Sequence, residues 1–206
     1  MQRRTARILF ATAVAAMALL APAGSASAGI LSQSAGPCPS YPMSQTFAAW
    51  LDPMSYTLAP GGAFESTSGL AFTGGARLVA GNETSYVHSR NDRSSVLIPQ
   101  GGTVTTGPIC VNLDNPTVRF FAKRPSFALL PVLTVEGLFT TKSGGTASLP
   151  LVGAPLAGGT WSLQLPMVAT PAVLELTDST MMRFRIRAVS GSWQVDDFYV
   201  DPLRRY

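Results

Sequence analysis

Charge is scarce in this chain. Only 13% of its 206 residues are Asp, Glu, Lys or Arg, so no acidic or basic run is available to serve as a nucleic-acid footprint or a solvated tail. Histidine is scarcer: His88 stands alone, and the cysteines are Cys38 and Cys110. One histidine and two cysteines that are expected to be oxidised exclude a usual structural zinc site. Long apolar runs are missing after residue 28. The most apolar segment, 126–139, is interrupted by Pro131 and Glu136 and falls short of the ~20 residues that cross a bilayer. Sustained helical periodicity, internal repeats, a Gly-rich phosphate loop and a Gly-x-Ser-x-Gly elbow are also absent. Nucleotide binding and a serine hydrolase of the elbow type therefore find no support.

What is present begins with an export signal. Arg3, Arg4 and Arg7 precede an almost wholly apolar run over 8–23, and Ala26-Ser27-Ala28 supplies small residues at a cleavage position. This is the three-part layout of a secretory signal peptide, so residues 1–28 are expected to be removed and 29–206 to fold as a single domain. No Ser or Thr precedes the Arg pair, which favours general secretion over a twin-arginine route. Pro37 immediately before Cys38 does not suit a lipid anchor. Losing three of fifteen basic residues leaves twelve against eleven acids, or +1. The basic balance thus belongs mostly to the discarded segment, and no nucleic-acid or membrane-inserted partner is expected. In an oxidising compartment the isolated pair Cys38 and Cys110 is expected to be joined; two buried thiols are the alternative.

Gly and Pro are plentiful and scattered, the profile of short strands joined by turns. Strands are expected over 76–80, 95–98, 103–106, 118–123, 132–138, 161–165, 182–188 and 193–200. Gly74-Gly75, 99–102, 114–116, 142–145 and 157–159 act as separators. Such spacing predicts an all-β sandwich or jelly roll. Met182, Phe184, Ile186 and Ala188 alternate with Arg183, Arg185 and Arg187, one face for the core and one for solvent. Ser190-Gly191 then reads as the turn of a terminal hairpin, with Arg185 opposite Asp196 and with Asp197 on the apolar side beside Trp193, Val195 and Tyr199. The best helix candidate is Ser44 to Leu51, with Ser44 as its cap and Asp52-Pro53 as its stop.

The ending Trp193-Gln194-Val195-Asp196-Asp197-Phe198-Tyr199-Val200 resembles the closing strand of galactose-binding-like jelly rolls, including several carbohydrate-binding module families. Gly61-Gly62-Ala63-Phe64-Glu65 is similar to their Gly-Phe-Glu opening. The chain also resembles a group of secreted actinobacterial proteins with the same Phe-Glu start, a Gly-Asn-Glu segment and this ending. The resemblance implies a jelly-roll β-sandwich and, by analogy of fold, glycan binding. No cofactor is expected to be required. A structural calcium is implied on Glu65 with Asp196 or Asp197, completed by carbonyl oxygens to the six to eight that calcium takes. The plain alternative has Asp196 paired with Arg185, Asp197 accepting backbone hydrogen bonds and Glu65 solvated.

No catalytic constellation can be assembled. His88 with neighbouring serines and Asp92 sketches a triad that no spacing supports, and adjacent acids on a strand point to opposite faces, a poor acid/base pair. Sugar rings stack on exposed aromatics flanked by donors. Tyr86, His88 and Arg90 in the polar stretch 82–93 are therefore the first candidates for a binding edge, with Trp161 and Tyr41 beside them; Trp50 and Trp193 are assigned to packing. The leading reading is a secreted, non-catalytic, carbohydrate-binding module. A non-catalytic envelope or matrix protein that binds other proteins is the alternative, and a small secreted hydrolase comes third.

Overall fold

The computed structural model describes residues 32–112, 117–126, 129–153, 155, 158–169 and 179–201. The export segment 1–28 and the turn expected over 114–116 lie outside them. The strands are β1 (Thr57–Leu58), β2 (Ala71–Thr73), β3 (Arg77–Ala80), β4 (Ser94–Ile98), β5 (Thr103–Thr105), β6 (Ile109–Asn112) and β7 (Thr117–Lys123). They continue with β8 (Val132–Thr140), β9 (Thr146–Val152), β10 (Ser162–Leu163), β11 (Met167–Ala169), β12 (Ser179–Ser190) and β13 (Trp193–Asp201). All pairings are antiparallel. Among the described residues no helix is long and apolar enough to cross a membrane.

The ladder runs β2-β5-β12-β8-β9-β11-β7-β13-β4-β3. Its first five strands form one layer and its last five the other, joined where β9 pairs β11. Short strands extend the layers: β6 lies beside β12, β1 beside β13 and β10 beside β7. Face-to-face packing is fixed by rings from both layers, with Phe198 of β13 5.6 Å from Phe184 of β12 and 5.5 Å from Phe120 of β7. All three rings are fully buried. The expected all-β sandwich therefore forms around the expected core face: Met182, Phe184, Ile186 and Ala188 point inward, while Arg183 and Arg187 are exposed.

The terminal hairpin does not form. β12 pairs β5, β6 and β8, whereas β13 pairs β1, β4 and β7, so Ser190-Gly191-Ser192 carries the chain from one layer to the other. Alternation dictates which face a strand buries, not which strand lies beside it. Every residue of β13 is buried, which needs neighbours on both edges and cover on both faces. Arg185 consequently stands opposite Glu136 of β8 and pairs with it, not with Asp196.

Cover for the outer face of β13 and β7 comes from the N-terminal segment. Phe47 and Tyr56 pack with Phe121, Leu163 and Tyr199 in a second cluster. The expected helix over 44–51 is reduced to one 3-10 turn, Ala48–Trp50, ended by Leu51 at φ 59°. Ser44 is no cap: its N–H donates to Tyr56 O, and its hydroxyl pairs with Thr46. Beneath this cluster Arg119 Nη1 donates to Asp52 Oδ2 at 2.5 Å and Tyr56 Oη donates to the same oxygen at 2.9 Å. The disulfide Cys38–Cys110 ties the same segment to β6 across a sequence separation of 72 residues, a constraint of about 4 kcal/mol on the unfolded chain.

Candidate functional site

The long connection between β3 and β4 closes where Gly81 N–H donates to Arg93 O at 2.7 Å. Loops of this length need their own internal support, and here carboxylates supply it. Glu65 Oε1 accepts the N–H groups of Arg93 and Ser94 at 2.9 and 2.8 Å. Glu83 accepts from Ser85 and, at 2.7 Å, from Val87. Asp196 Oδ2 accepts from Glu83 N–H at 2.8 Å, and Asp197 Oδ2 from His88 N–H at 3.2 Å. Glu83, Asp196 and Asp197 are fully buried; their oxygens replace the water that these amides would otherwise bind.

Neighbouring acids on a strand should face opposite ways, yet both Asp196 and Asp197 reach this one loop. The cause is a bulge. β13 pairs Asp196 with Phe121 and Tyr199 with Arg119, so three steps on β13 match two on β7, and Asp197 takes φ 48°. A bulge inserts one residue and shifts the alternation. Trp193 and Val195 point into the main core before it, Phe198 and Val200 after it. The turn at 59–62 clamps the bulge, since Phe198 N–H donates to Gly62 O at 2.9 Å and Ala59 N–H to Phe198 O at 3.0 Å. A Cβ on Gly62 would run into Phe198 O.

Burial sets the electrostatics. It pushes Asp196 up to about 8 and Asp197 up to about 7, with the backbone N–H groups of Glu83 and of His88 opposing the respective shifts. His88 Nδ1 lies 2.7 Å from Asp92 Oδ2. One ring nitrogen of His88 and one oxygen each of Asp92 and Asp197 fall within 4.8 Å of one another. The first-choice binding residues therefore sit together: Tyr86 is 43% exposed at the left-handed φ 51°, and His88 and Arg90 are exposed beside it.

Trp161 sits just ahead of β10, its ring 4.6 Å from Lys123 Nζ. It packs on the rim of the second cluster, which Val87 of the loop also borders. Tyr41 is partly buried and accepts the Cys110 N–H at 2.9 Å. Trp193 is in the core, as expected, whereas Trp50 keeps 38% exposure while its edge meets Phe121. Of the residues expected to hold calcium, Asp196 accepts backbone N–H groups at both oxygens, Glu65 Oε1 serves Arg93 and Ser94, and Asp197 Oδ2 serves His88. Sequence reasoning missed Glu83 and undervalued Asp92. The Asn82-Glu83 dipeptide after a Gly gave no sign that its carboxylate would fold back onto its own loop.

No family model matches the chain, and no curated protein matches it. Solved structures similar to it include the CBM22-1 xylan-binding domain from Paenibacillus barcinonensis Xyn10C, 11% identical, covering 70% of this chain and 93% of that one with a TM-score of 0.48. TmCBM61, solved in complex with β-1,4-galactotriose, is 12% identical and covers 69% and 95% of the two chains, with a TM-score of 0.39. The enzymatically active domain of bacteriophage CBA120 tailspike protein 4 is 16% identical over 69% of this chain and 20% of that one, with a TM-score of 0.42. At such identities and scores the likeness assigns neither ligand nor activity to this chain.

Proposed function

We propose that this is an exported, non-catalytic ligand-binding module whose ligand is a glycan and whose binding edge is the 82–93 loop. One observation carries the reading: a loop tied down by four carboxylates still presents Tyr86 to solvent in a left-handed conformation, with His88 and Arg90 alongside. A ring held this way offers its face to the apolar side of a sugar, and the guanidinium of Arg90 supplies several donors for hydroxyls. Because the loop is fixed before binding, little ordering cost is left to meet on association. Strained backbone at an exposed aromatic is also where function concentrates.

Catalysis is disfavoured by what stands next to His88. Its pairing with Asp92 has the form of a base and its orienter, but Asp197 occupies the adjoining position, and a second carboxylate is no nucleophile for a hydroxyl-type mechanism.

The test is retention on insoluble polysaccharides together with a glycan array. Wild-type protein should be retained by at least one polysaccharide, and Tyr86→Ala should lose that retention with an unchanged melting temperature. If no glycan retains the wild type, the class is wrong; if Tyr86→Ala and Arg90→Ala bind like wild type, the edge is misplaced.

A further inference from the structure

We propose that His88, Asp92 and Asp197 form a binding site for one divalent transition ion of the zinc class. The proposal stands independently of the glycan reading. It begins with an orphaned atom: Asp197 is fully buried, its Oδ2 accepts the His88 N–H, and its Oδ1 has no hydrogen-bond partner. A buried acceptor left bare is costly, more so when it carries charge, and native structures leave few such atoms without a reason. Asn82 Oδ1, in the loop that Asp197 fastens, is a second buried acceptor without a donor. A bare, buried carboxylate oxygen calls for a positive group.

The described residues supply none there. Among the described residues the ion pairs are His88–Asp92, Arg119–Asp52 and Arg185–Glu136. No described Lys or Arg forms an ion pair with the buried carboxylates Glu83, Asp92, Asp196 and Asp197. Glu83 and Asp196 are each occupied at both oxygens by backbone N–H groups, which restricts the available ligand atoms to Asp197, Asp92 and the His88 ring. Those three lie within 4.8 Å of one another. Zinc bonds of about 2.0–2.2 Å place ligands of one ion roughly 3–4 Å apart, so a small inward shift suffices. His88 can make it, because its side chain is 37% exposed, and the same opening is the entry path for the ion.

The donor set selects the ion. Calcium takes six to eight oxygens, whereas an imidazole nitrogen with two carboxylates suits zinc and its neighbours. Three protein ligands leave a fourth position, facing the side from which His88 is reached. The strained φ 48° at Asp197 is then the backbone cost of aiming this carboxylate at the ion.

The chain has one histidine, so the imidazole carbon and nitrogen signals in an NMR spectrum report on this site alone. Protein stripped with a chelator is titrated with zinc chloride and, separately, with calcium chloride, following those signals and the melting temperature. Zinc should move the ring signals with one-to-one saturation and raise the melting temperature, and calcium should leave the ring signals in place. His88→Gln keeps the exposed position filled and should weaken zinc binding by more than about tenfold; Asp92→Asn is the second variant should His88→Gln fail to fold, and it should weaken zinc binding likewise. Ring signals unmoved by zinc, or zinc affinity unchanged in His88→Gln, would overturn the site. A calcium-induced rise in melting temperature with no response to zinc would overturn it in favour of an oxygen cage.

Discussion

Asp52 shows how a single residue can hold a segment in place. Its Oδ1 accepts the Met54 N–H at 3.0 Å, and its Oδ2 receives both Tyr56 and Arg119. Arg119 lies 5.2 Å from the Phe47 ring centre, so one carboxylate joins the N-terminal cover to β7. Asp52→Asn leaves a buried guanidinium without its counter-ion, and breaking such a pair costs about 3–5 kcal/mol; a shift of the urea midpoint corresponding to less than about 1 kcal/mol would refute this. The two phenols of the cluster give a pH signature. Burial, followed by the charge and hydrogen bond of Asp52 for Tyr56 and by the charge of Asp197 for Tyr199, raises both well above the usual tyrosine value. The unfolded chain ionises them near pH 10, so the stability they contribute is intact below that pH and is lost as pH rises through the folded-state values. A near-ultraviolet absorbance titration should find two of the five tyrosines still neutral after free tyrosine has ionised. Ionisation of all five together would contradict the cluster.

Among the elements, the bulge in β13 does most to create the site. Its mark in the sequence was the change of phase across Asp196-Asp197, from apolar Trp193 and Val195 to apolar Phe198 and Val200; a hairpin register carried unbroken through Val200 passed over it, because an inserted Asp does not announce a bulge as Gly does. Its support was partly visible, because Gly61-Gly62 announces a turn, although not that the turn grips a strand far along the chain. Gly62→Ala should destabilise the fold by about 1–3 kcal/mol through overpacking against Phe198 O and should disturb His88 and its loop. An equally stable variant with unaltered His88 NMR signals would remove the clamp from the account. β12 was the most legible element, since its Arg/apolar alternation requires only that one face be wet. The failed hairpin and the shortened helix share a cause. Ser190-Gly191 and Ser44 carry the right local chemistry, and tertiary demand from β13, which needs neighbours and cover on every side, overrides it.

At the scale of the whole molecule, the sandwich was readable from period and turns, while the order of strands was not, because hydrophobic alternation leaves lateral neighbours open. The Tyr86 loop was recognisable by its polarity. Two of the buried acids that fasten it, Asp196 and Asp197, come from the far end of the chain, and only the fold brings them to it. The ladder starts with β2 and finishes with β3, two strands that are consecutive in sequence and joined through Gly74-Gly75. Where this ladder stops, a covalent link spans the gap, and its two end strands are only three and four residues long, one of them carrying Arg77. A visiting strand finds little template at either end of the ladder, which protects the sandwich against self-assembly into fibrils.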